Sequence, residues 1–208
     1  RGHVFQTQSD TEVILACWRE WGADCVEHLE GMFAFAIWDR STQTFFAARD
    51  RTGIKPLYIG QWDGAIVFSS TLAPFFELPG FDLAVDPEAL RDVLVYDYVP
   101  APRSMLRCVR KLRPGHSLLW QVADPFPASH AFWEVPHCDP QPVDFSELVD
   151  RCSRALDRAI ERQMISDVPL GAFLSGGIDS SLIVASMARF SSEPVTTFSV
   201  SFESGSNE

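Results

Sequence analysis

Five prolines fall between residues 125 and 142, at Pro125, Pro127, Pro136, Pro140 and Pro142. A proline ring removes a backbone donor and resists both the interior of a helix and the centre of a sheet. No long regular element is expected to run through this tract, so the chain must fold as two parts. The division gives a first domain over residues 1–124, a linker or draped connection over 125–143, and a second domain over 144–208. At 46% hydrophobic and 22% charged, the 208 residues carry enough apolar side chains for one large or two small globular domains.

In the first part, Ser9 and Glu12 of "SDTEVILACWREW" have capping-box spacing, and Val13, Ile14, Cys17, Trp18 and Trp21 then fall on one helical face. A second, short helical piece ends at Gly31. Runs rich in β-formers follow at Met32–Trp38, Thr44–Ala48, Pro56–Ile59 and Ala65–Phe68, with Asp63-Gly64 as a hairpin turn pair. The run "MFAFAIW" is apolar on both faces and belongs inside the fold. Asp86-Pro87 reads as an N-cap and first helical position, opening a helix to about Tyr98. Together these predict an α+β layered domain with antiparallel strands.

Past the prolines, Phe145, Leu148, Val149, Cys152, Leu156, Ile160 and Met164 keep helical spacing, with Glu147–Arg151 and Asp150–Arg154 as charge pairs on the other face. Val168–Leu174 then reads as a strand, Asp179–Phe190 as a helix and Val195–Phe202 as a second strand. That is a βαβ unit, which implies a parallel sheet. Two parallel strands cannot bury both faces, so the chain reads as cut short at its C-terminus.

The formal net charge of −11 repels phosphate backbones, which excludes nucleic acid as the expected partner. The most basic stretch, "RSMLRCVRKLR" at Arg103–Arg113, interleaves its charges with apolar residues and reads as a half-buried strand region. No apolar run approaches the roughly eighteen residues of a membrane span. The cysteines, Cys17, Cys25, Cys108, Cys138 and Cys152, are scattered and form no Cys-x-x-Cys pair. They suit free thiols in a reducing cytoplasm better than a zinc site or a disulfide framework.

One stretch carries chemistry. In "FLSGGIDSSLI", Phe173–Ile183, two glycines, three serines and an aspartate join a strand to a helix. Glycines let a backbone approach a ligand, and a helix N-terminus offers unpaired N–H groups and a partial positive charge. A phosphate is the natural occupant. The lysine of a Walker A loop is absent, and Asp179 would repel a bare phosphate unless a Mg²⁺ ion bridged the two. The spacing fits equally a plain strand–helix turn in which Asp179 and a serine cap the helix.

"LSGGIDSS" resembles the pyrophosphate-binding loop of the ATP pyrophosphatases, and "SDVPLGAFLSGGIDSSLI" resembles the glutamine-hydrolysing asparagine synthase family. "GHVFQTQSDTEVI", "LEGMFAFAIWD", "ARDRTGIKPLY" and "KLRPGHSLLW" resemble successive blocks of that family's glutaminase domain, in the same order. The resemblance covers nearly all of the chain outside the prolines. It implies an α+β N-terminal-nucleophile (Ntn) hydrolase-like glutaminase domain followed by the start of an α/β adenine-nucleotide alpha-hydrolase-like (PP-loop) domain. It also implies an activity: glutamine hydrolysis feeding ammonia to an aspartyl adenylate made from aspartate and ATP, with Mg²⁺ and release of pyrophosphate.

Carried over residue by residue, the resemblance gives Asp10 of "SDTE" the α-amino group of glutamine. Leu174 and Val200 receive adenine through their backbones, and Ser175, Gly176, Gly177, Asp179, Ser180 and Ser181 the pyrophosphate, with Mg²⁺ held on Asp179 through it. Arg49, Asp50 and Arg51 read as structural, with Asp50 expected to pair with an arginine. A cytoplasmic enzyme follows, with room for a homodimer of the full-length protein. Departures accompany this. Residue 1 is Arg1, no cysteine is terminal, and "SST" at Ser69–Thr71 lacks the family's acidic third residue. The chain therefore reads as an internal fragment without a catalytic nucleophile, inactive alone. Rival readings are an amidotransferase of another carboxylate, as in secondary-metabolite, polysaccharide or β-lactam pathways, and a degenerate ATP-binding or regulatory module. An ammonia-dependent NAD or GMP synthetase fits less, since those lack an Ntn half in this order.

Overall fold

The computed structural model describes residues 2–121, 125, 128–140 and 142–201. Arg1, Pro127 and the expected strand end Phe202 lie outside the described residues, as do 122–124, 126, 141 and 203–208. The chain forms two compact units, Arg1–His137 and Cys138–Glu208.

The first unit opens with helix α1 (Asp10–Trp21) and a 3-10 segment over Gly22–His28. Strands β1 (Ala34–Asp39), β2 (Thr44–Arg49), β3 (Tyr58–Trp62) and β4 (Ala65–Ser69) come next, then helices α2 (Ala73–Phe76) and α3 (Pro87–Tyr96). Strands β5 (Val109–Lys111), β6 (His116–Gln121) and β7 (Ser129–Ala131) complete it. One antiparallel sheet runs β1-β2-β6-β7 and a second runs β4-β3-β5.

The twofold alternation of a strand sorts β1 and β2 into two cores. Ala34, Ala36, Phe45 and Ala47 face one, shared with Leu57, Ile59, Leu112 and Leu118. Phe35, Ile37, Phe46 and Ala48 face the other, closed by Ile14, Cys17 and Trp18 of α1 and by Cys25 and Val26. "MFAFAIW" is apolar throughout because its sheet lies between a helix and a second sheet. A third core of Phe75, Phe81, Leu106 and Val109 gathers Tyr58, Trp62 and Val67 from the far face of that second sheet. The layers therefore run helix, sheet, sheet, helix and coil.

The β3–β4 hairpin turns at Asp63 and Gly64, whose φ values of 49° and 76° are the positive pair a type I′ turn requires. Asp86 caps α3 by accepting from the Glu88 N–H at 2.9 Å. The helix stops short of Tyr98 because Asp97 takes a left-handed φ of 62°. The proline tract yields an unexpected strand. No proline stands between Pro127 and Pro136, and β7 uses that gap to pair with His116–Leu118. The Phe132 and Trp133 N–H groups then both donate to the Gly115 carbonyl, at 2.9 and 3.1 Å.

The second unit holds α4 (Phe145–Gln163), β8 (Gly171–Phe173), α5 (Ile178–Phe190) and β9 (Thr196–Phe198), with β8 and β9 parallel as a βαβ unit demands. Asp144 caps α4 through the Glu147 N–H at 3.1 Å. Ile160 and Met187 are buried, while Asp157 accepts from Ser186 Oγ at 2.6 Å and pairs with Arg189. These bonds join α4 to α5. The two strands are shorter than the apolar runs Val168–Leu174 and Val195–Phe202. Each has a single paired neighbour among the described residues, and Phe173 and Phe198 stay exposed.

Candidate functional site

Residues 174–177 form a loop at the carboxyl end of β8 and lead into the first turn of α5, which holds Asp179, Ser180 and Ser181. The root of the loop is stitched to β9: the Leu174 N–H donates to the Phe198 carbonyl at 2.8 Å, and Ser199 Oγ donates to the Leu174 carbonyl at 2.6 Å. Val200, 75% exposed, follows directly. Nothing in the sequence singles out Ser199, because a serine after "TTF" has no distinguishing mark.

Within the loop the serines bind one another. Ser175 Oγ and Ser180 Oγ lie 3.0 Å apart, the Ser175 N–H donates to Ser180 Oγ at 3.3 Å, and the Gly177 N–H donates to Ser175 Oγ at 3.4 Å. Ser180 and Ser181 both turn their hydroxyls to the Gly177 carbonyl, at 3.2 and 2.8 Å. Gly176 has φ +82°, a left-handed conformation that suits glycine. The N-cap of α5 is Gly177, and no side chain caps the helix. The plain alternative, in which Asp179 and a serine cap it, is therefore not realised. The first-turn N–H groups of Ile178, Asp179 and Ser180 precede the first intrahelical bond, from Ser181 to Gly177, and Ser175–Asp179 are exposed.

Asp10 belongs to the first unit, where it opens α1 and is exposed. Only half of the expected capping box forms beside it. Ser9 Oγ accepts from the Thr11 N–H at 3.3 Å, but Glu12 reaches past Ser9. Its carboxylate accepts from the Gln6 N–H at 2.9 Å, from the Thr7 N–H at 2.8 Å and from Thr7 Oγ1 at 2.6 Å. The Thr7 hydroxyl and the two N–H groups hold the Glu12 carboxyl below its ordinary range.

An arginine partner for Asp50 is also not what forms. The Arg49 guanidinium is engaged with three carbonyls instead: Nε with Lys55 at 2.7 Å, Nη1 with Leu112 at 2.7 Å and Nη2 with Gly53 at 2.6 Å. Arg51 donates to the Glu27 carbonyl at 3.3 Å. Asp50, fully buried, accepts from the N–H groups of Thr52, Ile54 and Lys55. Acid and base thus grip opposite backbone groups of one turn, residues 50–55, and both are structural.

Residues 1–133 match the glutamine amidotransferase domain family. The chain belongs to that family. Residues 151–208 match the asparagine synthase family. Asparagine synthetase 3 (glutamine-hydrolyzing) of Bacillus subtilis strain 168 is 34% identical over 98% of this chain and 33% of its own length. A putative glutamine-hydrolyzing asparagine synthetase of Mycobacterium bovis is 38% identical over 97% and 32%. The chain spans about a third of the length of the curated relatives it matches. Among solved structures, glutamine phosphoribosylpyrophosphate amidotransferase from B. subtilis, complexed with ADP and GMP, covers 95% of this chain and 40% of its own. At 20% identity and a TM-score of 0.42, that likeness adds nothing to the fold described.

The family resemblance read from the sequence, an amidotransferase part followed by an asparagine synthase part, is borne out by both family matches. So is the fold class, an α+β Ntn-type amidotransferase unit of antiparallel sheets followed by the start of an α/β unit.

Proposed function

We propose that this amidotransferase chain is part of an enzyme that converts aspartate to asparagine, taking ammonia from glutamine and activating the aspartate carboxylate with ATP as an adenylate. One observation supports this above the rest. An amidotransferase domain is followed in the same chain by a Ser-Gly-Gly loop opening a helix that no side chain caps. The relatives' names, glutamine-hydrolyzing asparagine synthetases, supply the donor and the acceptor.

Three first-turn N–H groups and a helix dipole suit the terminal phosphates of ATP. Ser180 and Ser181 add two hydroxyls whose present acceptor, the Gly177 carbonyl, lies in the same loop, so a small rotation would redirect them. Leu174, whose N–H is already held by β9, would offer adenine the second lone pair of its carbonyl, and Val200 beyond it its own backbone groups. In the first unit Asp10 would pair with the α-ammonium of glutamine. Among the described residues no cluster of three or more His, Cys, Asp or Glu offers an all-protein metal site. A Mg²⁺ ion would be held by Asp179 together with phosphate oxygens, and would neutralise the departing pyrophosphate. All five cysteines are free, as a reducing cytoplasm would keep them. Among the described residues no helix is long and apolar enough to cross a membrane.

The test is pyrophosphate release by the full-length protein supplied with glutamine, magnesium, ATP and single carboxylates. Aspartate should elicit one pyrophosphate per asparagine, and Asp179→Ala should lower the rate by about a hundredfold or more. Release with another carboxylate but not aspartate would reassign the acceptor. No release with any carboxylate would overturn the reading.

A further inference from the structure

Two carboxylates stand in the first turn of α1, and the structure divides their labour. Asp10 takes no bond from the described residues. Glu12 collects three donors from the segment just ahead of the helix: Oε1 accepts from the Gln6 N–H at 2.9 Å, and Oε2 from the Thr7 N–H at 2.8 Å and Thr7 Oγ1 at 2.6 Å. The chain of bonds continues, because Thr7 Oγ1 in turn accepts from the Ser9 N–H at 3.2 Å. Ser9 then caps α1 through Thr11. Residues 6–9 are tied by one carboxylate to the turn that carries Asp10.

We propose that Glu12 is a positioning residue for glutamine recognition: it fixes the backbone of Gln6 to Ser9 and thereby the direction in which Asp10 presents its carboxylate. Three features carry this. A capping glutamate would have bonded Ser9, the nearer partner, and Glu12 passes it over for residues five and six positions back. The bonds are charge-assisted and short, the kind that fix geometry. They are also exposed, so they bury no apolar area and add little to global stability. A network of that kind at the mouth of a helix holds a local shape rather than the fold.

The proposal rests on the reading of Asp10 as the glutamine-ammonium partner, and the experiment separates the two. In the full-length protein, Glu12→Ala should raise the KM for glutamine about tenfold while changing kcat less than about threefold, the signature of lost ground-state binding. Glu12→Gln, which keeps one acceptor oxygen, should fall between. Product formation from ammonium chloride, which bypasses glutamine, should stay at the wild-type rate in both. Amide hydrogen exchange at Gln6 and Thr7 should accelerate in Glu12→Ala.

Faster exchange with an unchanged KM would overturn the positioning role. So would an equal loss of glutamine- and ammonia-dependent rates, which would make Glu12 a residue of the fold. Unchanged exchange would remove the bonds on which the inference stands. A wild-type KM in Asp10→Ala together with a raised KM in Glu12→Ala would sink the reading of Asp10 and leave the effect of Glu12 to be explained otherwise.

Discussion

Asp50 offers a direct measure of how the first unit is held together. Its carboxylate is 0% exposed and accepts from the N–H groups of Thr52 at 3.2 Å, Ile54 at 3.0 Å and Lys55 at 3.0 Å, and from Thr52 Oγ1 at 3.3 Å. Asp50→Ala would leave three N–H groups facing the space the carboxylate filled. Each buried donor without a partner costs about 1–3 kcal/mol, and partial entry of water keeps the total near 3–4 kcal/mol. With a urea slope of about 2 kcal/mol/M, reasonable for a unit of this size, the midpoint should drop by about 1.5–2 M. Asp50→Asn keeps the shape but turns an NH₂ toward the Lys55 N–H, so one bond becomes a clash of donors and the drop should be about 1 M.

All six tryptophans, Trp18, Trp21, Trp38, Trp62, Trp120 and Trp133, lie in the first unit, so their fluorescence follows its unfolding alone. The pH dependence supplies a second reading. Burial pushes the Asp50 carboxyl up, but the backbone bonds from Lys55, Ile54 and Gly53 and the Thr52 hydroxyl together outweigh it and hold the group below its ordinary range. The folded state thus binds this proton at lower pH than the unfolded state. The stabilisation is present above the unfolded value of about 3.9 and is lost as pH falls through the folded value. Asp50→Asn, which cannot titrate, should flatten that acid limb. An Asp50→Ala midpoint within about 0.3 M of wild type, with an unchanged slope, would refute the assignment of this carboxylate as the organiser of the turn.

A short pulse of iodoacetamide on the native protein, read by mass spectrometry, should modify exposed Cys138 and Cys152 and spare Cys25, whose burial pushes its thiol up to about 11. Labelling of Cys25 at the rate of Cys152 would contradict the packing of the core beneath α1. The Ser41 hydroxyl and N–H, at 2.6 and 2.8 Å, hold the Asp39 carboxyl down at about 2. In Ser41→Ala an NMR titration should find it raised toward the ordinary value of about 3.9. Gly176→Ala adds a methyl group with no atom within 4 Å, so its cost is conformational, about 1–2 kcal/mol at φ +82°. Calorimetric titration of the full-length protein with an ATP analogue should show about tenfold weaker binding, while the tryptophan-monitored midpoint of residues 1–208 stays put.

What the sequence disclosed and what it withheld divide along a physical line. Periodicity decides which face of an element is apolar, so the two-faced β1, the helical stripe of α1 and the Asp63-Gly64 turn were all legible from residue type and spacing. Hydrogen bonds made by side chains depend on rotamers and on the path of the chain between partners, and spacing mispredicts them. Glu12 has capping-box spacing because Ser9 stands three residues back; the actual partners, Gln6 and Thr7, become reachable only once the chain folds over the first turn. Asp50 between two arginines suggested an ion pair, but Arg49 was already directed at three carbonyls and the turn amides stood closer. The edge strand β7 was hidden by an average over a tract in which the prolines happen to be unevenly placed. The loop at Ser175 shows the same division most sharply. Its composition allowed both a capped turn and a ligand cradle, and the choice hinges on where the serine hydroxyls turn. They turn toward one another and toward the Gly177 carbonyl, leaving the first-turn N–H groups of α5 uncapped. A helix start so arranged lacks the side-chain acceptor that capping would supply, and the proposed phosphate would stand in its place.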